Sequence, residues 1–521
     1  MLRASDLPLQ YNAVHILEHN LATRAEKIAL YSNERNLTFQ QVSDQVNRVG
    51  NALQKLGVHF GETVAILNLD NAEWAISYFA CLKIGAVAVG MNTLLKPHEH
   101  AYILNDSRAR VLLVHASLLP AIDAVREQLL FLKNVVVIGS STPLRSAQND
   151  MVSYEEWIAN ESTELETAPT HRDDFCALNY SSGTTGEPKG IVHAHQDLPL
   201  TAQLWAVNVL GMRERDRTFA TAKLFFTFGT GGNLVFPWYV GASCVLMSAP
   251  PRIATNVLET IQKFQPTIHF NAPTGYAAML GMENFAQQYD LSSLRLCVSA
   301  GESLPAPVWQ QWKEKTGVDI IDGIGCTEIW HIFISNSPND IRPGSSGKPV
   351  PGMEVRIVDE NFNDVKQGEV GNLLVKSETT ALFYLHQAEK SRRTFLGEWL
   401  MTGDKYFVDA DGYYWHAGRS DDMLKVGGIF VSPVEVESTL MSHPAVLECA
   451  VVGAPDAANL IKPKAFVVLK QGYNADANLQ DALIAYCKEK MAEYKRPRGI
   501  EFVSELPKTA TGKIQRFKLR G

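Results

Sequence analysis

Between residues 180 and 190 the chain reads Tyr180-Ser-Ser-Gly-Thr-Thr-Gly-Glu-Pro-Lys-Gly190. Gly183, Gly186 and Gly190 let backbone come close to a ligand, the hydroxyls of Ser181, Ser182, Thr184 and Thr185 add donors, and Lys189 adds positive charge. Such a set suits a polyphosphate. Lys189 lies between Pro188 and Gly190, so the Gly-Lys-Ser/Thr ending of a Walker loop is absent. Gly229-Thr-Gly231 and Gly323-Ile-Gly325 fail as dinucleotide fingerprints, because Leu234 and Glu328 stand where a final glycine is needed. A P-loop ATPase and a dehydrogenase are therefore not supported. His193-Ala-His195 offers two metal ligands without a third, which is weak evidence for a metal.

These residues need a scaffold. Short apolar runs at 63–67, 111–114, 135–138, 243–247 and 294–299 alternate with amphipathic stretches, a pattern that predicts an α/β chain with mainly parallel sheets. Val42, Val46, Val49, Leu53 and Leu56 recur near helical spacing before Gly57, so a surface helix is expected over 39–56. Residues 140–150 are polar enough to be a loop. Near residue 420 the small, charged run Gly418-Arg-Ser-Asp-Asp422 interrupts the pattern, and a strand–helix–strand–strand–helix pattern follows it. The expected organisation is a large N-terminal domain, 1–420, of mainly parallel β-sheets packed with helices, hinged to a small C-terminal α+β domain, 421–521.

A composition 46% hydrophobic and 20% charged is that of a globular protein, and the net charge of -8 provides no bulk attraction to nucleic acid or anionic lipid. The seven cysteines are scattered and never form Cys-x-x-Cys, so neither a disulfide framework nor a zinc site is expected. With no secretory-type N-terminus and no apolar run of spanning length, a cytoplasmic location and no membrane partner are expected. A homodimer is carried only as an option, since no interface is readable.

The glycine-rich loop is followed, in order, by Ala300-Gly301-Glu302, Asp322-Gly-Ile-Gly-Cys-Thr-Glu328, Thr402-Gly-Asp404, Gly418-Arg-Ser-Asp-Asp422, Lys425-Val-Gly-Gly428 and Pro507-Lys-Thr-Ala-Thr-Gly-Lys513. Across essentially its whole length the chain resembles the acyl-adenylate-forming superfamily of acyl-CoA synthetases, peptide-synthetase adenylation domains and beetle luciferases. The resemblance implies an enzyme that uses ATP, magnesium and coenzyme A. It puts adenine against Ala300, Gly301, Glu302, Asp322 and Gly323, Thr327 at the α-phosphate, and magnesium on Glu328. Asp404 and Arg419 would take the ribose hydroxyls, and Asp421 would be the hinge. Lys513 would reach the reacting carboxylate and α-phosphate, while Lys425, Gly427 and Gly428 would border the coenzyme A channel. Gly427 departs from the family pattern, which has serine before a single glycine.

Lys223-Leu-Phe-Phe-Thr-Phe-Gly229, with the run from Asp322 to Phe333, looks most like the benzoate-CoA ligase subfamily. Its pocket residues would here be Phe226, Thr227, Phe228, Gly229, Ile324, Gly325, Ile329, Trp330 and His331. Thr227 stands where alanine is expected and Phe228 where tyrosine is expected, so a narrowed pocket or a bond to a ring substituent is open. The implied substrate is a small aromatic carboxylate. Cyclic or short aliphatic acids, and a carrier protein in place of free coenzyme A, remain as alternatives.

Overall fold

The computed structural model describes residues 2–140, 151–181, 188–251, 253–419, 422–426, 429–455, 461–493, 495–508 and 514–520. All of the expected loop at 140–150 except residue 140, and the greater part of the glycine-rich loop, therefore lie outside the described residues.

Among the described residues two large sheets carry the first 350 positions. In the first, Val87–Gly90, Thr63–Leu67, Val111–His115, Asn134–Ile138 and Met151–Ser153 run parallel with Phe175–Ser181, and Lys189–Ala194 and Phe383–Tyr384 add an antiparallel edge. In the second, the parallel strands Ile320–Gly325, Leu296–Ser299, Ile268–Asn271, Arg217–Ala220, Ser243–Val245 and Ile28–Tyr31 are flanked by antiparallel Ile332–Ser335 and Leu37–Thr38. Strands such as Val111–His115 are continuous apolar runs because helices cover both faces and leave no wet side to alternate toward. The helix Ala72–Lys83 shows this most clearly: all of its residues except Glu73 are buried, and the Asn71 side chain caps it through the Trp74 N–H.

The expected helix after Phe39 forms over Phe39–Lys55. Thr38 and Gln41 make a reciprocal capping box at its start, and its apolar stripe is buried. It stops before Gly57, whose φ of +77° is a left-handed conformation that glycine adopts without strain.

Two further sheets complete the chain. Glu354–Val358, Gly371–Lys376, Trp399–Val408, Phe395–Leu396 and Tyr414–Arg419 are antiparallel. Gly418 and Arg419, which open the charged run at the expected domain boundary, end the last of these strands, because their backbone pairs with Lys405 and Asp404. After them come a short hairpin, Leu424–Val426 with Ile429–Val431, and a separate three-stranded sheet, Val446–Pro455, Ile461–Leu469 and Gly499–Phe502. The helices Pro433–Met441 and Ala477–Lys490 pack on that sheet around a core of their own that includes Val436, Leu440, Val451, Val467 and Leu483.

The cysteines are all unpaired, six of them buried. No helix among the described residues is long and apolar enough to cross a membrane.

Candidate active site

The strands Phe175–Ser181 and Lys189–Ala194 pair with Ser181 opposite Lys189, so both residues flank the chain that joins them. Ser182, Gly183, Thr184, Thr185 and Gly186 lie outside the described residues. The Lys189 ammonium is 2.5 Å from Glu328 Oε1 and donates to the Tyr384 hydroxyl at 3.1 Å, over whose ring it sits at 4.5 Å. Tyr384 in turn donates to Glu328 Oε1 at 2.7 Å. Burial works against a charge on Glu328, but the Lys189 ammonium and the two hydrogen bonds prevail and hold its carboxyl below the usual range. The result is a charged clamp at the end of the phosphate-type loop, with the Lys189 and Glu328 side chains still 18% and 11% exposed.

Glu328 sits in the turn Thr327–Ile329, which follows the strand Ile320–Gly325. The turn ends at Trp330, a non-glycine residue with φ of +72°. Such a conformation persists only where the surroundings hold it.

At the same end of the second sheet, Ala300, Gly301 and Glu302 follow the strand Leu296–Ser299, with Gly301 exposed at φ +96°. Asp322 is buried beside them on the neighbouring strand, one of its carboxylate oxygens has no partner, and burial pushes its carboxyl up to about 8. Gly323 is packed so that an added Cβ would meet the Ile334 carbonyl oxygen at 2.7 Å. In the antiparallel sheet, Asp404 and Arg419 face each other in register with Nη1 and Oδ1 3.1 Å apart. Burial opposes charge on Asp404, but Arg419 and His416 outweigh it and keep its carboxyl low. His416 places Nε2 3.7 Å from Asp404 and bonds Ser303 through Nδ1 at 2.8 Å, which ties the Ala300–Glu302 bend to the Asp404 strand.

The small C-terminal sheet reaches this region through the chain's end. The Ile514 N–H donates to Glu302 Oε1 at 2.7 Å, so the segment that follows Lys513 touches the bend. Lys513, Asp421, Gly427 and Gly428 lie outside the described residues, and of Lys425 only the backbone, in the strand Leu424–Val426, is described.

On the other side of the Thr327–Ile329 turn is an aromatic box. His331 has ring-centroid distances of 4.6 Å to Phe236, 4.8 Å to Trp205 and 5.4 Å to Phe228. Neither of its nitrogens has a hydrogen-bond partner, and burial pushes it down to about 3, so it is neutral. Phe226 and Phe228 are partly exposed and flank Thr227, which is buried and opens the short helix Thr227–Thr230. Gly229 admits no side chain, since a Cβ there would lie 2.2 Å from the Lys223 carbonyl oxygen. Gly325 similarly abuts the His331 carbonyl. Ile324 and Gly325 are half-buried on their strand, whereas Ile329 and Trp330 are fully buried in the main core behind the box.

Sequence reasoning missed Tyr384, His416 and Ser303, each of which reaches the site from a distant element with no motif around it. It also read His193-Ala-His195 only against a metal. Both nitrogens of His193 are engaged, by Asp197 at 2.8 Å and by the Thr327 carbonyl at 2.7 Å, and His195 Nδ1 accepts the Ala13 N–H. Among the described residues no cluster of three or more metal-ligating side chains occurs.

A charged lysine–glutamate clamp and an acidic–basic pair beside a glycine bend, gathered at the strand ends of an α/β fold, suit an anionic ligand that also carries hydroxyl groups. The chain belongs to the AMP-binding enzyme family, whose model matches residues 17–385, with the family's C-terminal domain matching residues 435–513. A benzoate-CoA ligase of Thauera aromatica is 46% identical over 99% of this chain and 97% of its own length. A 4-hydroxybenzoate-CoA/benzoate-CoA ligase of Rhodopseudomonas palustris is 40% identical over 99% and 95%. Among solved structures, an anthranilate CoA ligase in complex with anthranoyl-AMP superposes with a TM-score of 0.96 at 65% identity, covering 99% of this chain and 98% of that one. A benzoate CoA ligase from Burkholderia xenovorans gives 0.90 at 40% identity, covering 98% and 100%.

Proposed function

We propose that the protein joins a benzoate-type acid to coenzyme A through an acyl-AMP intermediate, consuming ATP and releasing AMP and pyrophosphate. One observation carries this reading: a single turn, residues 324–331, has the charged Glu328 clamp on one side and the aromatic box on the other. An acid seated with its ring in the box would present its carboxylate to phosphates held at the clamp.

In the first step the carboxylate attacks the α-phosphorus and pyrophosphate leaves. Two anions must meet there, so the site has to supply positive charge. Lys189 does so at the phosphate loop with Ser181 to Gly186, and Lys513 does so at the reacting centre, with Thr327 donating to the α-phosphate. Adenine would lie between Ala300–Glu302 and Asp322–Gly323, and the ribose hydroxyls on Asp404 and Arg419. The chemistry of Glu328 fits magnesium, because it is an ionised carboxylate that belongs to no cluster of three or more metal-ligating side chains among the described residues, and such an ion is held by one or two carboxylates plus substrate phosphates. When bound, the ion would neutralise phosphate charge.

In the second step the thiol of coenzyme A displaces AMP, its pantetheine passing Lys425, Gly427 and Gly428. We assign residues 1–420 to the nucleotide and acid domain and 421–521 to a domain that turns about Asp421. The separate core of the small sheet supports that division.

A second reading of the acid is favoured by His331. A neutral imidazole without partners in an aromatic box would match a ring bearing an ortho amino group, and the 65%-identical neighbour carries anthranoyl-AMP. Pyrophosphate release measured over benzoate, its hydroxy and amino derivatives, cyclic acids and short aliphatic acids tests both readings. Release confined to aliphatic acids would overturn them; a ranking led by 2-aminobenzoate supports the second.

A further inference from the structure

The turn Thr327–Ile329 is held from outside by all three of its carbonyls. Ile329 accepts the Thr379 hydroxyl at 3.0 Å, Glu328 accepts the Ala381 N–H at 2.7 Å, and Thr327 accepts His193 Nε2 at 2.7 Å. Only the last of these comes from the strand Lys189–Ala194 that leaves the phosphate loop. Residues four apart on a strand share a face. Lys189 grips the Glu328 carboxylate and His193 grips the Thr327 backbone, both from that one face.

A carbonyl only accepts, so Nε2 must carry a hydrogen. Asp197 fixes the ring's orientation: its Oδ2 lies 2.8 Å from Nδ1, with one proton held between the two groups, and also accepts the Ala194 N–H at 3.0 Å. Both side chains are inaccessible, at 0% and 2% exposure, so this contact is not a surface accident. Packing alone does not require it, since an apolar side chain would fill the same space.

We propose that His193, oriented by Asp197, is a positioning residue for the adenylation step, holding the Thr327 carbonyl so that Thr327 and Glu328 keep their place relative to Lys189. The inference rests on the function proposed above. Holding the turn matters because Trp330 is in a left-handed conformation; its N–H also bonds the Thr327 carbonyl at 2.9 Å from within the turn, so His193 supplies the bond that ties this carbonyl to the strand carrying Lys189. A shift of about 1 Å in a positioning group can cost about 100-fold in rate.

Two variants of similar polarity separate positioning from mere packing. His193→Asn places an amide near Nδ1, where it reaches Asp197 but not Thr327. His193→Gln places an amide near Nε2, where it reaches Thr327. Both leave space unfilled, so both should lower Tm. In acid-dependent ATP–pyrophosphate exchange, His193→Asn should lose about 10- to 100-fold in kcat, with a smaller change in KM for ATP, while His193→Gln stays close to wild type. Equal kcat in the two variants, or losses that simply follow Tm, overturns the inference. If the wild-type protein itself shows no acid-dependent exchange, it is the function reading that fails, and this inference falls with it.

Discussion

His331→Leu should reverse the enzyme's preference between 2-aminobenzoate and benzoate. The imidazole is 3% exposed and has no hydrogen-bond partner on either nitrogen, so an unsubstituted ring would leave it unpaired, whereas an ortho amino group would pair it. Leaving a buried polar group unsatisfied costs about 1–3 kcal/mol, and about 1.4 kcal/mol is tenfold, so the ratio of kcat/KM values for the two acids should change by about 5- to 140-fold. Leucine is of similar bulk, and a Cβ at Gly231 would already lie 2.6 Å from the His331 ring, so the box has no room for a larger replacement. The assay is initial-rate pyrophosphate release for both acids at saturating ATP, with KM for ATP as the internal control that should not move. Because burial holds His331 near 3, it stays neutral and the wild-type ratio should be flat from pH 6 to 9. A ratio unchanged by the substitution would refute the placement of His331 against the substrate ring.

Asp404→Asn should raise KM for ATP by about tenfold, because a charged acceptor facing Arg419 is lost, while kcat changes less; an unaltered KM would remove Asp404 from the ribose site. Thr227→Ala should widen acceptance toward ring-substituted benzoates by about 1–3 kcal/mol of relieved crowding, read as kcat/KM across a substituted series. Stability should fall as pH drops from about 6.5 toward 4. His195 and His331 near 3 and His269 near 4 stay neutral in the fold while their unfolded counterparts take up protons, and denaturant unfolding across that window reads the slope. Asp322, raised to about 8, acts oppositely: its contribution is full below the unfolded carboxyl value and fades as pH rises through 8, so it shallows the acid slope. Lys513→Ala should abolish most pyrophosphate exchange yet leave thioester formation from supplied acyl-AMP and coenzyme A, and an equal loss in both would argue against an alternating small domain.

The strands that position the site were legible because both their faces are buried, which writes them as uninterrupted apolar runs; 63–67 and 135–138 appear almost unchanged as Thr63–Leu67 and Asn134–Ile138. The helix at 39 was legible from its period and its stop at Gly57. The run at 243–247 was overextended: the strand is Ser243–Val245, since Leu246 and Met247 remain buried and apolar after sheet pairing ends. The Lys189–Glu328 pair was foreshadowed as two separate motif residues, but their contact was not, because it depends on a crossover of 139 residues. Tyr384 and His416 act through hydrogen bonds to residues 56 to 195 positions away, which leave no periodic or local trace in sequence, whereas Asp197 bonds His193 only four residues before it, at a spacing that no motif marks. Ile329 and Trp330 were expected at the pocket surface, and their full burial follows from the left-handed Trp330, which turns the chain back into the core.

The most direct test of the account is isotope exchange between pyrophosphate and ATP in the absence of coenzyme A, followed by product analysis when coenzyme A is added. The two-step reading predicts exchange that depends on an aromatic acid, then one AMP and one acyl-CoA thioester for each acid consumed. Exchange that requires coenzyme A, or formation of ADP and phosphate in place of AMP and pyrophosphate, would contradict an acyl-AMP intermediate and the mechanism built on it.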